Sequence, residues 1–206
     1  VIDRPAQTLL APLFTALVRP LARRGITADA LTVLGCIVGV AAAAAIVWGQ
    51  FVLAIGLMLA SRLLDGLDGT LARLTQPTAR GAFLDIVLDF VFYATIPLAF
   101  ALHDPAANAL AAAVLLAAFV LTATSFLAYA VLAEKHRLHD DAPPPGVRKG
   151  FVFLGGLAEA GETLIVFVVM AIWPQHFAPI ALGFAALCGI AWLMRLATGW
   201  RRLRGV

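Results

Sequence analysis

Along this chain of 206 residues, long apolar runs alternate with short polar breaks, and the breaks divide it into helical segments. Over residues 5–24 the apolar positions Leu9, Leu10, Leu13, Phe14, Leu17 and Leu21 recur at helical spacing. Arg19, Arg23 and Arg24 close the run, and Pro12 and Pro20 interrupt it. That pattern predicts an amphipathic helix lying in the headgroup region of a membrane rather than across it. Near-continuous apolar stretches follow at 31–49, 51–73, 81–102, 107–133, 150–172 and 177–196. Each approaches or exceeds the ~20 residues that cross a hydrocarbon core, and the fourth must tilt or protrude. The expected architecture is all-α and integral to a membrane. One domain fills 1–206: an interfacial helix and lead-in over 1–30, then a bundle of six transmembrane helices over 31–200.

Composition agrees and charge adds direction. The chain is 62% hydrophobic with a mean hydropathy of +0.95, which leaves no room for a large soluble head. Its fifteen Lys and Arg fall in or beside the amino-terminal region, the 74–80 loop, the 134–149 loop and the carboxy-terminal end. Arg62 lies in the half of the second span nearest the 74–80 loop. The opposite connections, around Gly49-Gln50, His103 to Ala107 and Trp173 to Phe177, contain none. The positive-inside rule makes the basic side, with both termini, cytoplasmic. Cys36 and Cys188 sit in apolar segments without metal spacing and read as inert thiols; the four histidines are scattered and carry no metal.

One stretch breaks the apolar pattern. Residues 65–89, DGLDGTLARLTQPTARGAFLDIVLD, hold four aspartates inside or between spans. At ~100° per residue, Asp65, Asp68, Gly69 and Ala72 share one sector of a helix, with Arg73 at its edge. After the break at Gln76-Pro77, Asp85 and Asp89 lie four residues apart on a second helix. Two carboxylates from each helix are thus expected to face one another. An aspartate at bilayer depth costs about 2.5–3.5 kcal/mol, so four need cationic compensation, and Arg73 supplies only one charge. Two divalent cations would balance the set, and hard oxygen ligands suit Mg²⁺ or Mn²⁺.

The run Asp65-x2-Asp68-Gly69-x2-Ala72-Arg73, then Gly81-x3-Asp85-x3-Asp89, resembles the signature of the CDP-alcohol phosphotransferases. The family pattern has eight residues between its arginine and the next glycine, whereas this chain has seven, Leu74 to Arg80, read as a shortened inter-helix loop. The resemblance implies a multi-pass enzyme of a bacterial-type inner membrane. It would move the phosphatidyl group of a CDP-alcohol, CDP-diacylglycerol for most small bacterial members, to a small hydroxyl acceptor in phospholipid synthesis, releasing CMP. It further implies metal ligands at Asp65, Asp68, Asp85 and Asp89, with Asp89 also the base on the acceptor hydroxyl. Gly69 and Arg73 would contact the CDP group beside the small Ala72, and Thr78 is a weaker candidate for the same contact. Homodimers are usual in the family. The segment Ile26-Thr27-Ala28-Asp29-Ala30-Leu31-Thr32 resembles the family's lead-in to the first span, implicating Asp29 to Thr32 in holding CDP; capping of the next helix by Thr27 or Asp29 is the alternative.

Other polar groups keep two readings. Glu159 and Glu162 either line the acceptor cavity, or pair with Arg62 or Arg195 or stay protonated and hydrogen-bonded between helices. Thr122, Thr124, Ser125 and Tyr129 either line a cavity or hydrogen-bond between helices. The basic, proline-rich 134–149 loop is a connector or an attractor of phosphorylated acceptors and headgroups. The acceptor stays open among glycerol 3-phosphate, inositol phosphate, serine and other small alcohols, with the basic loops leaning toward a phosphorylated one. The competing function is a cation- or proton-coupled transporter built on the aspartates. A transporter needs polar groups continuing to the far side, and outside the fifth span these are few.

Overall fold

The computed structural model describes residues 3–136 and 160–205, and no strand occurs among them. Its helices are α1 (Asp3–Arg23), α2 (Ala28–Val47), α3 (Phe51–Leu74), α4 (Ala79–His103), α5 (Pro105–Lys135), α6 (Ala160–Ile172) and α7 (Phe177–Arg202). Short 3₁₀ turns at Pro174–His176 and Leu203–Gly205 flank α7. The helices start and stop within a few residues of the apolar runs wherever both can be compared. α1 continues through Pro12 and Pro20, which the sequence pattern treats as interruptions.

Side-chain chemistry sets the boundaries. Thr27 is extended and its hydroxyl accepts from the Ala30 amide at 3.2 Å, so Thr27 rather than Asp29 caps α2. Gly49, at φ +73, ends α2 in the left-handed region, where the Gly49 and Gln50 amides reach back to the Ile46 and Ala45 carbonyls. Asp104 closes α4 through its amide to the Phe100 carbonyl and opens α5 by accepting from the Ala107 amide at 3.1 Å. The buried Asn108 donates to the same Phe100 carbonyl at 3.0 Å, and Pro105 sits in the first turn of α5 where no amide proton is needed.

Packing places α2 against both α3 and α4, α5 against α4 and α7, α6 against α3 and α7, and α1 against α3. α2, α3 and α4 come close together at Gly39, where an added Cβ would stand 2.8 Å from Phe92 Cδ2 and 3.0 Å from Ser61 Oγ. Ser61 donates to the Gly35 carbonyl at 2.8 Å, tying α3 to α2 where no side chain intervenes. Aromatic rings fill the interior: Phe100 stacks on Phe177 at 4.5 Å, and Phe92 and Phe119 meet Phe167 at 5.9 and 6.1 Å. A smaller cluster joins Val18 of α1 to Leu31, Leu67 and Leu71, with Phe14 and Leu21 packed on it.

The periphery is apolar. Val52, Leu110, Val120 and Ile37 are 87%, 79%, 64% and 60% exposed, an outer face suited to hydrocarbon rather than water. Among the described residues, four segments are long and apolar enough to cross a membrane: Ala28–Val47, Ala79–His103, Pro105–Leu132 and Pro174–Arg202. The expectation was six. The 24-residue α3 has the length, but Arg62, Asp65, Asp68 and Arg73 interrupt its apolar character. The fifth expected span begins outside the described residues, and its described part, α6, is 13 residues long.

Candidate active site

The four aspartates come from two neighbouring helices, as their spacing predicts. α3 contributes Asp65 and Asp68, α4 contributes Asp85 and Asp89, and the first half of α2 forms the third wall. A narrow cleft between them is lined by Thr32, Gly35, Cys36, Arg62, Asp65, Asp85, Leu88 and Asp89. A wider hollow bounded by Phe90, Val120, Ala123 and Leu127 of α4 and α5 has a lining without ionisable groups, unlike the narrow cleft.

Asp65, Asp68 and Asp85 each bring a carboxylate oxygen within 4.8 Å of the other two. A cation bonded to all three at roughly 2.0–2.6 Å would hold its ligands at most about 5 Å apart, so the trio fits one hard divalent ion. Asp68 carries the test of fit. It is 4% exposed, and its Oδ2 is buried without a hydrogen-bond partner. Its neighbours for hydrogen bonding are the Thr32 hydroxyl and the Gly69 backbone. The single Thr32 proton also has the Ala28 carbonyl at 3.0 Å to serve. A buried carboxylate oxygen without a donor is destabilising, and a cation satisfies it.

Asp89 lies outside that trio, in the grip of Arg62. The guanidinium Nη1 stands 2.5 Å from Asp89 Oδ1 and 3.6 Å from Asp65 Oδ1. Its plane covers the Phe92 ring at 4.2 Å, and Nη2 donates to Ser61 Oγ at 3.3 Å. Arg62 is therefore the cation closest to the carboxylates, a role the sequence pattern gave to Arg73. Arg73 is exposed at the end of α3 and donates to Thr70 Oγ1 at 3.1 Å. Its Nη1 would lie 3.4 Å from a Cβ on Gly69, so those two residues are neighbours at the mouth.

The remaining expected residues divide. Thr32 lines the cleft, and Ala72 is half-buried on α3 near the mouth. Asp29, in the first turn of α2, accepts from Arg80 Nη2 at 2.6 Å and Nε at 3.1 Å. Asp29 Oδ1 would be 3.0 Å from a Cβ on Gly81, so the starts of α2 and α4 touch through that glycine. Thr78 is extended and caps α4, accepting from the Gly81 amide at 3.0 Å. The hydroxyls of Thr122, Thr124 and Ser125 return to carbonyls of their own helix, at 2.7, 2.6 and 2.8 Å, in neither of the two roles expected. Arg195 donates to the Thr122 carbonyl at 3.0 Å, and Glu162 opens α6. Glu159 and most of the 134–149 loop lie outside the described residues.

Two functional candidates escaped the sequence pattern. Arg62 precedes Asp65 by three residues, a helical neighbour spacing, and a charge in mid-span is itself a signal. Arg80, seven residues past Arg73, gave no signal, because its partner Asp29 lies 51 residues away.

A profile of the CDP-alcohol phosphatidyltransferases matches residues 25–198, from the turn before α2 to the last turns of α7. The chain belongs to the CDP-alcohol phosphatidyltransferase family. Membership implies a phosphotransferase with a CDP-alcohol donor and an alcohol acceptor, embedded in a membrane. The chain is 43% identical over 206 residues to inner membrane protein YnjF of Escherichia coli strain K12, covering 100% of this chain and 98% of that relative. It is also 39% identical over 80 residues to archaetidylinositol phosphate synthase of Methanothermobacter thermautotrophicus, covering 38% of this chain and 41% of that protein.

Proposed function

We propose that this CDP-alcohol phosphatidyltransferase moves the phosphatidyl group of CDP-diacylglycerol to the hydroxyl of a small phosphorylated alcohol, releasing CMP. The observation that carries the reading is the trio Asp65, Asp68 and Asp85, with its buried and orphaned Asp68 oxygen, beside a fourth carboxylate that the trio does not use. Asp65, Asp68 and Asp85 would hold the first Mg²⁺ or Mn²⁺, and Asp89 with Asp65 would share a second. Bound ions of this kind polarise phosphoryl oxygens and neutralise a diphosphate.

The chain's own residues do the rest. Asp89 accepts the proton of the acceptor hydroxyl. The acceptor oxygen then bonds to the phosphorus that carries the lipid alcohol, and the bond from that phosphorus to the CMP oxygen breaks. Arg73 donates to the diphosphate, and Gly69 and Ala72 leave room for ribose and base. Thr32 and Asp29 border the CDP from α2, and Thr78 acts by holding the first turn of α4. Arg80, 85% exposed beside Asp29, suits the phosphate of an acceptor arriving from water. The relative named for archaetidylinositol phosphate supports a phosphorylated polyol.

The setting follows from charge and depth. Asp65 is eight residues before Arg73 and so lies about 12 Å inward along α3. With the basic residues cytoplasmic, the cleft opens to the cytoplasm from within the inner leaflet, α1 lies along that interface, and six spans return both termini to the same side. Acyl chains can then stay in the bilayer while the diphosphate reaches the aspartates.

The test is CMP release by purified protein in detergent, given CDP-diacylglycerol, Mg²⁺ or Mn²⁺, and a panel of phosphorylated and plain alcohols. One phosphorylated acceptor should support turnover, and Asp89→Asn should lower it at least ~100-fold, the scale of a lost general base. Absence of binding to any CDP-alcohol in the presence of metal would end the reading.

A further inference from the structure

The Arg62–Asp89 pair is an unusual tenant for a metal centre. We propose that Arg62 holds the place of the second divalent ion at Asp89, so that the two ions load in order and the second binds only as the guanidinium leaves. This rests on the two-ion reading above and adds a device to it.

Position comes first. Nη1 lies 2.5 Å from Asp89 and 3.6 Å from Asp65, between the two carboxylates that a second ion would share. A divalent cation and a guanidinium cannot occupy that gap together, by size and by like charge. Charge agrees: four carboxylates beside one arginine leave a formal deficit of three, which a first ion in the trio reduces to one. The first ion is therefore drawn in strongly, while the second must displace a cation already there.

The seat is built, yet incomplete. Arg62 is 11% exposed, stacked on Phe92 and bonded to Ser61, so it is a defined position and not a loose side chain. Its Nε, however, is buried without a hydrogen-bond partner. A seat that leaves one donor unsatisfied competes poorly with one that satisfies it. The side chain thus has a reason to stay at Asp89 while the second ion is absent and a reason to leave when the ion arrives. Asp89 is meanwhile kept from wandering into the trio, which preserves it for the acceptor.

The experiment counts Mn²⁺ on purified protein by electron paramagnetic resonance and calorimetry, without substrate or turnover. Wild type should bind in two steps, the second at least tenfold weaker. Arg62→Gln should leave the first step in place and tighten the second about tenfold or more, while Arg62→Lys, which keeps the cation but loses the planar stack, should shift it less. The lysine variant carries the test alone if glutamine prevents folding. Equal affinity for both ions in wild type overturns the proposal, as does a second step that Arg62→Gln weakens or leaves unchanged. The reading beneath it is tested separately: Mn²⁺ binding unaltered by Asp68→Asn removes the metal centre itself.

Discussion

Gly39→Ala adds one methyl group at the point where α2, α3 and α4 meet. Its Cβ would stand 2.8 Å from Phe92 Cδ2 and 3.0 Å from Ser61 Oγ. Carbon atoms in good contact sit ~3.5–4.0 Å apart, so the ring has to retreat by roughly 0.7 Å or more. Phe92 has little freedom to do so: it is 1% exposed, with Phe167 at 5.9 Å and Tyr93 at 5.8 Å. Overpacking of this kind costs about 1–3 kcal/mol, against ~1 kcal/mol gained when alanine replaces glycine in a helix. Gly56→Ala on α3 isolates the gain, because nothing lies within 4 Å of its added Cβ. The difference between the two variants is then the steric cost alone. At ~2–4 °C per kcal/mol for a chain of this size, their Tm values should separate by roughly 2–12 °C, Gly39→Ala lower. Thermal unfolding in detergent measures it. CMP release should fall in Gly39→Ala and persist in Gly56→Ala, because the Phe92 ring carries Arg62. Equal shifts of the same sign in both proteins would refute the packing argument.

Further outcomes follow from single contacts. At Gly66 an added Cβ would meet Phe14 Cε2 at 2.6 Å, so Gly66→Ala should loosen α1 and expose it to limited proteolysis while the rest of the bundle stays protected. Thr78→Ala removes the cap of α4 and should destabilise by about 0.5–2 kcal/mol, with a raised KM for CDP-diacylglycerol and recovery of both in Thr78→Ser, read by unfolding and kinetics. Saturating Mn²⁺, at ~100 times its Kd, should stabilise the chain by ~2.7 kcal/mol, an increment that a chelator reverses and that Asp68→Asn lacks in thermal scans.

Local signals carried most of the architecture. Apolar run lengths located the helices, and period alone put Asp65 with Asp68 and Asp85 with Asp89. What stayed hidden depends on neighbours distant in sequence. Charge counting found Arg73, which belongs to the motif, but the closest compensation comes from Arg62, whose partner on α4 is 27 residues away. The helical period over 5–24 stood despite Pro12 and Pro20, because tertiary packing of Phe14 and Val18 on α3 supports a helix that local propensity disfavours. Of the α5 hydroxyls read as cavity or inter-helix groups, Tyr129 does bond between helices, accepting from Arg202 Nη1 at 3.2 Å, whereas Thr122 and Thr124 had a carbonyl one turn back within reach.

The hairpin of α4 and α5 bears on how the protein is made. Asp104 is the whole connection between two helices that are each long and apolar enough to span. A nascent chain emerging from the ribosome therefore has almost nothing hydrophilic to push through the bilayer at this turn. The two helices can enter the lipid as a unit, their shared Asp104 cap and the Asn108 bond already closed. Lengthening the turn with charged residues would slow that insertion without touching the aspartates of the cleft.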